Sequence, residues 1–358
     1  MADSGKQAQQ TLTTNWIDED GTEFDIFDVC RSRDIKYLRQ YLDEDGDPDL
    51  IMEPHGTSLL RITCCAFAPS QTAHTKLLLE RGADPNKGTP LYDACYLGKL
   101  DSVRHLVNHC ARVNEGTRIG ATPLHGAVRA ENPDIVSFLL QNGADPDITG
   151  DTDEETPLYV AVDLMVNEDA VCFSVSDLME CARLLLEKGA NSCIQDLHGN
   201  TPLGRACEKG NVDCVSHLLR HGADANVAWL DGRSLLFVTA AEEHFECFQE
   251  LLEHGAIPDA LDECGDALLS HLCVRSMFSY ARLLLSHGAN VNIVNKTTGR
   301  TPLYICCGYG KPESVRFLME NGADPLIPSK KGRTPFMKAT RKGHESCVDV
   351  LKEFGVVE

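Results

Sequence analysis

Apolar residues come in paired bursts at helical spacing, the first opened by Thr-Pro-Leu and the second closed by Gly. Thr-Pro-Leu starts at Thr89, Thr122, Thr156, Thr201 and Thr301. Thr334-Pro335-Phe336 follows the same pattern, and degraded versions begin at Ser58, Ser234 and Ala267. With Phe24 as a further degenerate start, successive intervals are 34, 31, 33, 34, 45, 33, 33, 34 and 33 residues. A period this regular predicts ten copies of one supersecondary element rather than several globular domains.

The letters of each copy predict its structure. A Thr hydroxyl caps the free amides of a helix, and Pro at the first helical position lacks only an N–H that had no partner. The second burst carries Leu pairs such as Leu218-Leu219 and Leu251-Leu252, and the Gly beyond it supplies a left-handed cap. The turn-rich stretch before the next Thr, for example Asp196-Leu197-His198-Gly199-Asn200, suits a hairpin-like finger. The expected order is finger, inner helix, outer helix.

Gly199-Asn200-Thr201-Pro202-Leu203 and Gly222-Ala223-Asp224-Ala225-Asn226 at this period resemble the ankyrin repeat. The resemblance covers residues 24 to 358 and implies an all-α ankyrin-repeat solenoid of about ten helix-turn-helix copies with hairpin-like fingers. Copies start near residues 24, 58, 89, 122, 156, 201, 234, 267, 301 and 334, after a polar, acidic and flexible segment 1–23. The interval of 45 places an insertion within 165–177 that either lengthens the helices or protrudes as a loop. In the second copy Gly82 reaches Thr89 in seven residues, which predicts a stubby finger.

The chain has 358 residues, no run of eighteen apolar residues and no apolar stretch in Met1 to Asn15. Neither a membrane span nor a secretory signal is therefore expected, and the assignment is cytoplasmic, with the nucleus also open. A formal charge of −21 argues against nucleic-acid binding. The 16 cysteines then read as reduced thiols. Cys30, Cys64, Cys95, Cys207, Cys273 and Cys307 all fall six positions after register zero, where the ankyrin consensus has Ala, and Cys214, Cys247 and Cys347 share the thirteenth. These nine are core groups, whereas Cys172, Cys181, Cys193 and Cys264 stand off register.

His221, His254 and His287 each precede a closing Gly and are expected at helix carboxyl ends. The resemblance gives His125 a hydrogen-bonding role in the Thr-Pro-Leu-His turn. No phosphate loop, zinc-protease motif or nucleophile elbow occurs, so no enzyme and no cofactor is expected. Asp145, Asp147 and Gly150 partly follow a calcium loop, but Thr156 stands where a bidentate Glu is required. A solvated acidic finger is the competing reading.

Charge is sorted along the chain. Asp145 to Cys181 holds eleven acids and no Lys or Arg, while Lys296 to Lys352 holds eleven bases and five acids. Either these are solvated faces, or they complement charged partners. On the second alternative Asp151, Asp153, Glu154 and Glu155 would meet a basic segment of another protein.

The family binds proteins through fingers and inner helices, so the resemblance carries contact positions over. On fingers these are Arg118, Ile119, Asp153, Glu155, Leu197, His198, Trp229, Leu230, Lys330, Lys331 and Arg333. On inner helices they are Tyr96, Leu97, Arg129, Glu208, Lys209, Arg275 and Tyr309. Trp229, Tyr96 and Tyr309 are the expected anchors. Tyr at Tyr92, Tyr159 and Tyr304, where His is usual, is similar to ankyrin repeat and SOCS-box proteins, which are substrate receptors of cullin ubiquitin ligases. Only Val356 to Glu358 follow Gly355, where the family's ligase-docking box would need roughly forty residues, so either the box is absent or the chain is incomplete. Interaction scaffold and ubiquitin-ligase receptor are the two competing readings.

Overall fold

A computed structural model describes residues 15–17, 23–31, 34–52, 56–66, 71–150, 152–166, 174–229 and 232–357. Within them the chain forms ten successive helix pairs, from Ile26–Arg31 with Ile35–Asp43 to Pro335–Lys342 with Glu345–Glu353. Within each of two compact units inner helices pack on inner ones, as Leu59–Cys65 on Pro90–Tyr96 and Pro302–Tyr309 on Pro335–Lys342, and outer on outer, as Gln71–Glu80 on Leu100–Asn108 and Pro312–Glu320 on Glu345–Glu353. The apolar stripe of a helix is thereby buried against its own pair partner and against the neighbouring copy. The chain divides into two compact units, one of residues 1–161 and 172–190, the other of 162–171 and 191–358.

Thr201, Thr301 and Thr334 cap their helices as the pattern predicts, their hydroxyls accepting from Gly204, Tyr304 and Met337 N–H at 3.1, 3.2 and 3.3 Å. Thr89 does not. The short finger before it closes through two consecutive left-handed residues, Gly88 at φ 85° and Thr89 at φ 61°, which turns the Thr89 hydroxyl away from the helix start. Outer helices end as expected: Gly222 has φ 91°, and Ala223 N–H returns to Leu218 O at 3.0 Å.

Fingers share one hydrogen-bond pattern. The closing bond runs from Thr117 N–H to Ala121 O, from Asp196 N–H to Asn200 O, from Trp229 N–H to Arg233 O and from Ser329 N–H to Arg333 O. Two fingers widen into two-stranded antiparallel ladders, Asn15–Ile17 with Glu23–Asp25 and Ile51–Met52 with Thr57–Ser58. The first ladder corrects the boundary drawn at residue 24. Trp16 pairs with Phe24, so Asn15–Ile17 belongs to the first finger rather than to a flexible segment; residues 1–14 and 18–22 lie outside the described ones.

The insertion is partly helical. The inner helix of the fifth repeat, Pro157–Val166, has 10 residues, and its outer helix, Val175–Glu187, has 13, against seven and nine in the fourth repeat. Residues 167–173 lie outside the described residues. Ser174 N–H donates to the Glu131 carboxylate, which ties the end of the insertion to the preceding repeat. Subtracting the insertion also returns Cys181 to the thirteenth position, and its side chain is fully buried. It is a core thiol like Cys214, not an off-register one.

A ladder of side-chain amides links the loops that follow the outer helices. Asn114, Asn226 and Asn292 each accept from the backbone of the next repeat, from Asp145, Ile257 and Asp324 N–H at 2.9, 2.8 and 2.7 Å. The Asn that ends Gly-Ala-Asp-Ala-Asn thus satisfies a backbone donor one repeat away.

Candidate binding surface

Several inner helices are held at their starts by a side-chain cap, and in the fourth repeat the cap also reaches the next finger. His125 is fully buried and completes a capping box with Thr122. Its Nδ1 accepts from Thr122 N–H at 3.1 Å, which leaves the proton on Nε2, and Nε2–H donates to Glu155 O at 2.9 Å. One ring therefore locks the start of an inner helix to the next finger. His244 and His344 make similar bridges from the starts of outer helices, donating from Nε2 to Glu208 O at 3.1 Å and to Gly308 O at 3.2 Å. His221, His254 and His287 sit at helix carboxyl ends as expected, each donating from Nδ1 to the carbonyl four residues back at 2.9 Å.

The contact positions divide by what their side chains touch. Tyr96 and Tyr309 stand out from their inner helices, 51% and 66% exposed. Tyr96 stacks on Tyr92 with ring centroids 6.1 Å apart. Arg118, Ile119, Asp153, Glu154, Leu197, His198, Lys209, Lys330 and Lys331 are exposed, while Leu97 and Arg333 are half-buried. Asp151 and Leu230 lie outside the described residues.

Other positions are occupied within the fold. Glu155 was expected as an acid free to meet a partner; instead its carboxylate lies 3.7 Å from the Arg129 guanidinium, and its backbone carbonyl accepts from Gly150 N–H and from His125. Glu208 joins Arg205 at 2.8 Å, and Arg205 also holds Asp163 at 2.9 Å. Arg275 faces Glu243 at 3.7 Å. Trp229 is half-buried, because its ring lies over Gly204, where a Cβ would fall 2.5 Å from the indole. It is therefore in part a packing residue rather than a free anchor.

Two cavities gather contact positions. One of about 390 Å³ brings Arg118 and Ile119 beside Tyr92, Asp93 and Arg61; another of about 150 Å³ brings Arg275 and Tyr309 beside His271 and Ile305. A third, of about 400 Å³, opens beside the finger carrying Asp262 and Cys264. There His271 Nε2 meets Asp262 Oδ2 at 2.8 Å and stands edge-on to Phe237. Met337, 47% exposed on the last inner helix, and Lys338 beside it were not among the expected contact positions, although the density of basic residues there is visible in the sequence.

The electrostatics of the thiols separate core from surface. Burial pushes Cys64 and Cys214 up to about 12 and Cys247 up to about 11, so these remain protonated packing groups. Cys110, Cys193 and Cys264 are exposed. Among the described residues no three His, Cys, Asp or Glu side chains come together as a metal-ligand set, and Asp145 Oδ1 instead accepts from Asp147 N–H at 3.0 Å. No helix among them is long and apolar enough to cross a membrane.

Ankyrin-repeat profiles match residues 62–150, 150–229 and 281–356, and a single ankyrin repeat matches 231–263. Human ankyrin repeat and SOCS box protein 16 is 35% identical over 178 residues, covering 40% of this chain and 39% of the relative. Human SH3 and multiple ankyrin repeat domains protein 2 is 33% identical over 142 residues, 38% of this chain and 7% of the relative. Alpha-latrocrustotoxin-Lt1a of Latrodectus tredecimguttatus is 32% identical over 112 residues, and the match spans only 8% of it. These matches thus span well under two thirds of each relative. The crystal structure of the ankyrin repeat domain of Bcl-3 is similar at a TM-score of 0.52 and 33% identity, covering 65% of this chain and 99% of that one. Period, cap chemistry, helix pairing and profile matches agree, and the chain belongs to the ankyrin-repeat family.

Proposed function

We propose that this protein is a non-enzymatic scaffold or adaptor that binds another protein through its inner helices and fingers. The observation that carries the reading is the exposure of Tyr96 and Tyr309, 51% and 66%, on inner helices whose other faces are buried. Large aromatic side chains held on a rigid surface gain contact area at little entropic cost, so they serve as anchors. Asp153 and Glu154 are exposed on the acidic finger and would act on the association rate of a basic segment. Proximity labelling in cells with the parent chain and with Tyr96→Ala and Tyr309→Ala tests this. Loss of specific neighbours with either variant is expected, and an identical neighbour set with both rejects the inner-helix surface.

A second reading, a substrate-recognition subunit of a cullin-type ubiquitin ligase, is favoured by the similarity to human ankyrin repeat and SOCS box protein 16. Co-purification of a cullin and elongins with the chain would support it over the plain scaffold.

A further inference from the structure

We propose that the fingers and inner helices of the ninth and tenth repeats bind a short acidic protein segment bearing an apolar or aromatic residue, an inference that rests on the interaction reading above and names its partner chemistry. Residues 295–309 and 329–342, which form these fingers and inner helices, contain eight Lys and Arg and no Asp or Glu. The acids of these two repeats among the described residues, Glu313, Glu320, Asp324, Glu345, Asp349 and Glu353, lie on the outer helices Pro312–Glu320 and Glu345–Glu353 or in the loop after the first. Charge is thus sorted by face.

The eight cations also lack the partners that their counterparts have. Earlier in the same compact unit Arg205 is held by Asp163 and Glu208, and Arg275 faces Glu243. Among the described residues none of Lys296, Arg300, Lys330, Lys331, Arg333, Lys338, Arg341 and Lys342 forms an ion pair with an acid. They are nonetheless held close together. Lys330 N–H donates to Thr298 O at 3.0 Å, fastening the two fingers, and Gly299 permits this approach because a Cβ there would lie 2.5 Å from Lys330 N. Lys338 lies across Gly308, its ammonium 5.7 Å from the Tyr304 ring centroid. Burial and the neighbouring Lys342, Arg300 and Arg341 hold that ammonium below the usual lysine value, against an opposing pull from Tyr304. A carboxylate arriving here relieves repulsion among like charges as well as gaining its own attraction.

Tyr309 and Met337, 66% and 47% exposed, stand on the same two inner helices. They supply the apolar contact that charge alone lacks, and the Arg forks suit carboxylates in two-point contact. A long polyanion fits less well. The chain as a whole carries −21, so a nucleic acid extending beyond this face meets net repulsion, whereas a short segment is felt locally within a screening length of about 8 Å.

The test is fluorescence anisotropy on the full chain, with a labelled peptide of Asp and Glu flanking one Leu and one Phe. The same peptide with Lys and Arg for the acids, a phosphoserine peptide and a thymidine oligonucleotide serve as competitors. The acidic peptide is expected to bind with an affinity that falls as salt rises. Combined Lys338→Gln, Arg341→Gln and Lys342→Gln should weaken it about tenfold. Lys330→Gln with Lys331→Gln, on the exposed finger, keeps the test valid if the helix variant folds poorly, and should weaken it about threefold. Arg104→Gln, an exposed cation of the other compact unit, should change nothing. Absence of binding, indifference to both charge sets, or tighter binding of the oligonucleotide or the phosphoserine peptide overturns the proposal. A cellular neighbour lost on Tyr96→Ala, together with no acidic-peptide binding, keeps the interaction reading and rejects this one.

Discussion

Replacing His125 by Ala should cost the fourth and fifth repeats a buried bond between them. His125 is fully buried, accepts from Thr122 N–H at 3.1 Å and donates to Glu155 O at 2.9 Å. Ala leaves Thr122 N–H unpaired, at about 1–3 kcal/mol, takes from Glu155 O one of its two donors while Gly150 N–H remains, at about 1 kcal/mol, and removes ring packing besides. The expected loss is about 3–5 kcal/mol, large against a typical domain stability of about 5–15 kcal/mol. His125→Gln separates the two bonds, since an amide oxygen at that position keeps the capping box but does not reach the next finger. It should recover about 1–2 kcal/mol of the loss. Urea denaturation followed by circular dichroism gives the totals. Hydrogen exchange should place the lost protection at the starts of the helices Pro123–Arg129 and Pro157–Val166. An Ala variant within about 1 kcal/mol of the parent would show that the bridge contributes little and that helix stacking alone orients the finger.

Gly204→Ala places a methyl group against the Trp229 indole, which must then shift. Overpacking of about 1–3 kcal/mol exceeds the helical gain of about 1 kcal/mol, so modest destabilisation with red-shifted tryptophan emission is expected, and unchanged emission would refute the packing. An aromatic disulfide reagent should label Cys110, Cys193 and Cys264 rapidly in the folded chain, with Cys207, Cys214 and Cys247 reacting only on unfolding; mass spectrometry of the labelled peptides checks this. Cys64 and Cys214 titrate near 12 when folded against 9.0 otherwise. Because the folded value is the higher one, their contribution is complete below pH 9.0 and is lost as pH rises towards 12. Urea midpoints should fall across that window, and Cys214→Ala should flatten the fall.

The repeat was legible because each of its signals answers a backbone need. Thr and Pro start helices where amides lack partners, and Gly ends them in a conformation that L side chains avoid, so the punctuation survives even where the apolar residues vary. The same logic explains where reading failed at Thr89. The shortened finger imposes φ 61° there, and a backbone constraint overrode the capping preference of the residue. Cys181 was misplaced for a simpler reason, since a register counted along the chain is blind to an insertion until the helices on either side are seen to lengthen.

Contact positions were harder to read, because exposure depends on which residues of adjacent repeats meet. Tyr96 and Tyr309 are exposed by virtue of their place on the helix, which the repeat register alone gives. Glu155 and Trp229 occupy equally suitable finger positions, yet Glu155 is taken by Arg129 and Trp229 by the bare backbone of Gly204. Neither partner is near in sequence, and neither is distinguished by type. The basic face of the last two repeats shows the reverse case. Its composition was visible as a surplus of Lys and Arg, but only the fold separates those cations from Glu313, Glu320 and Asp324 on another face. A net charge summed over sequence averages opposite faces together, and a partner meets only one of them.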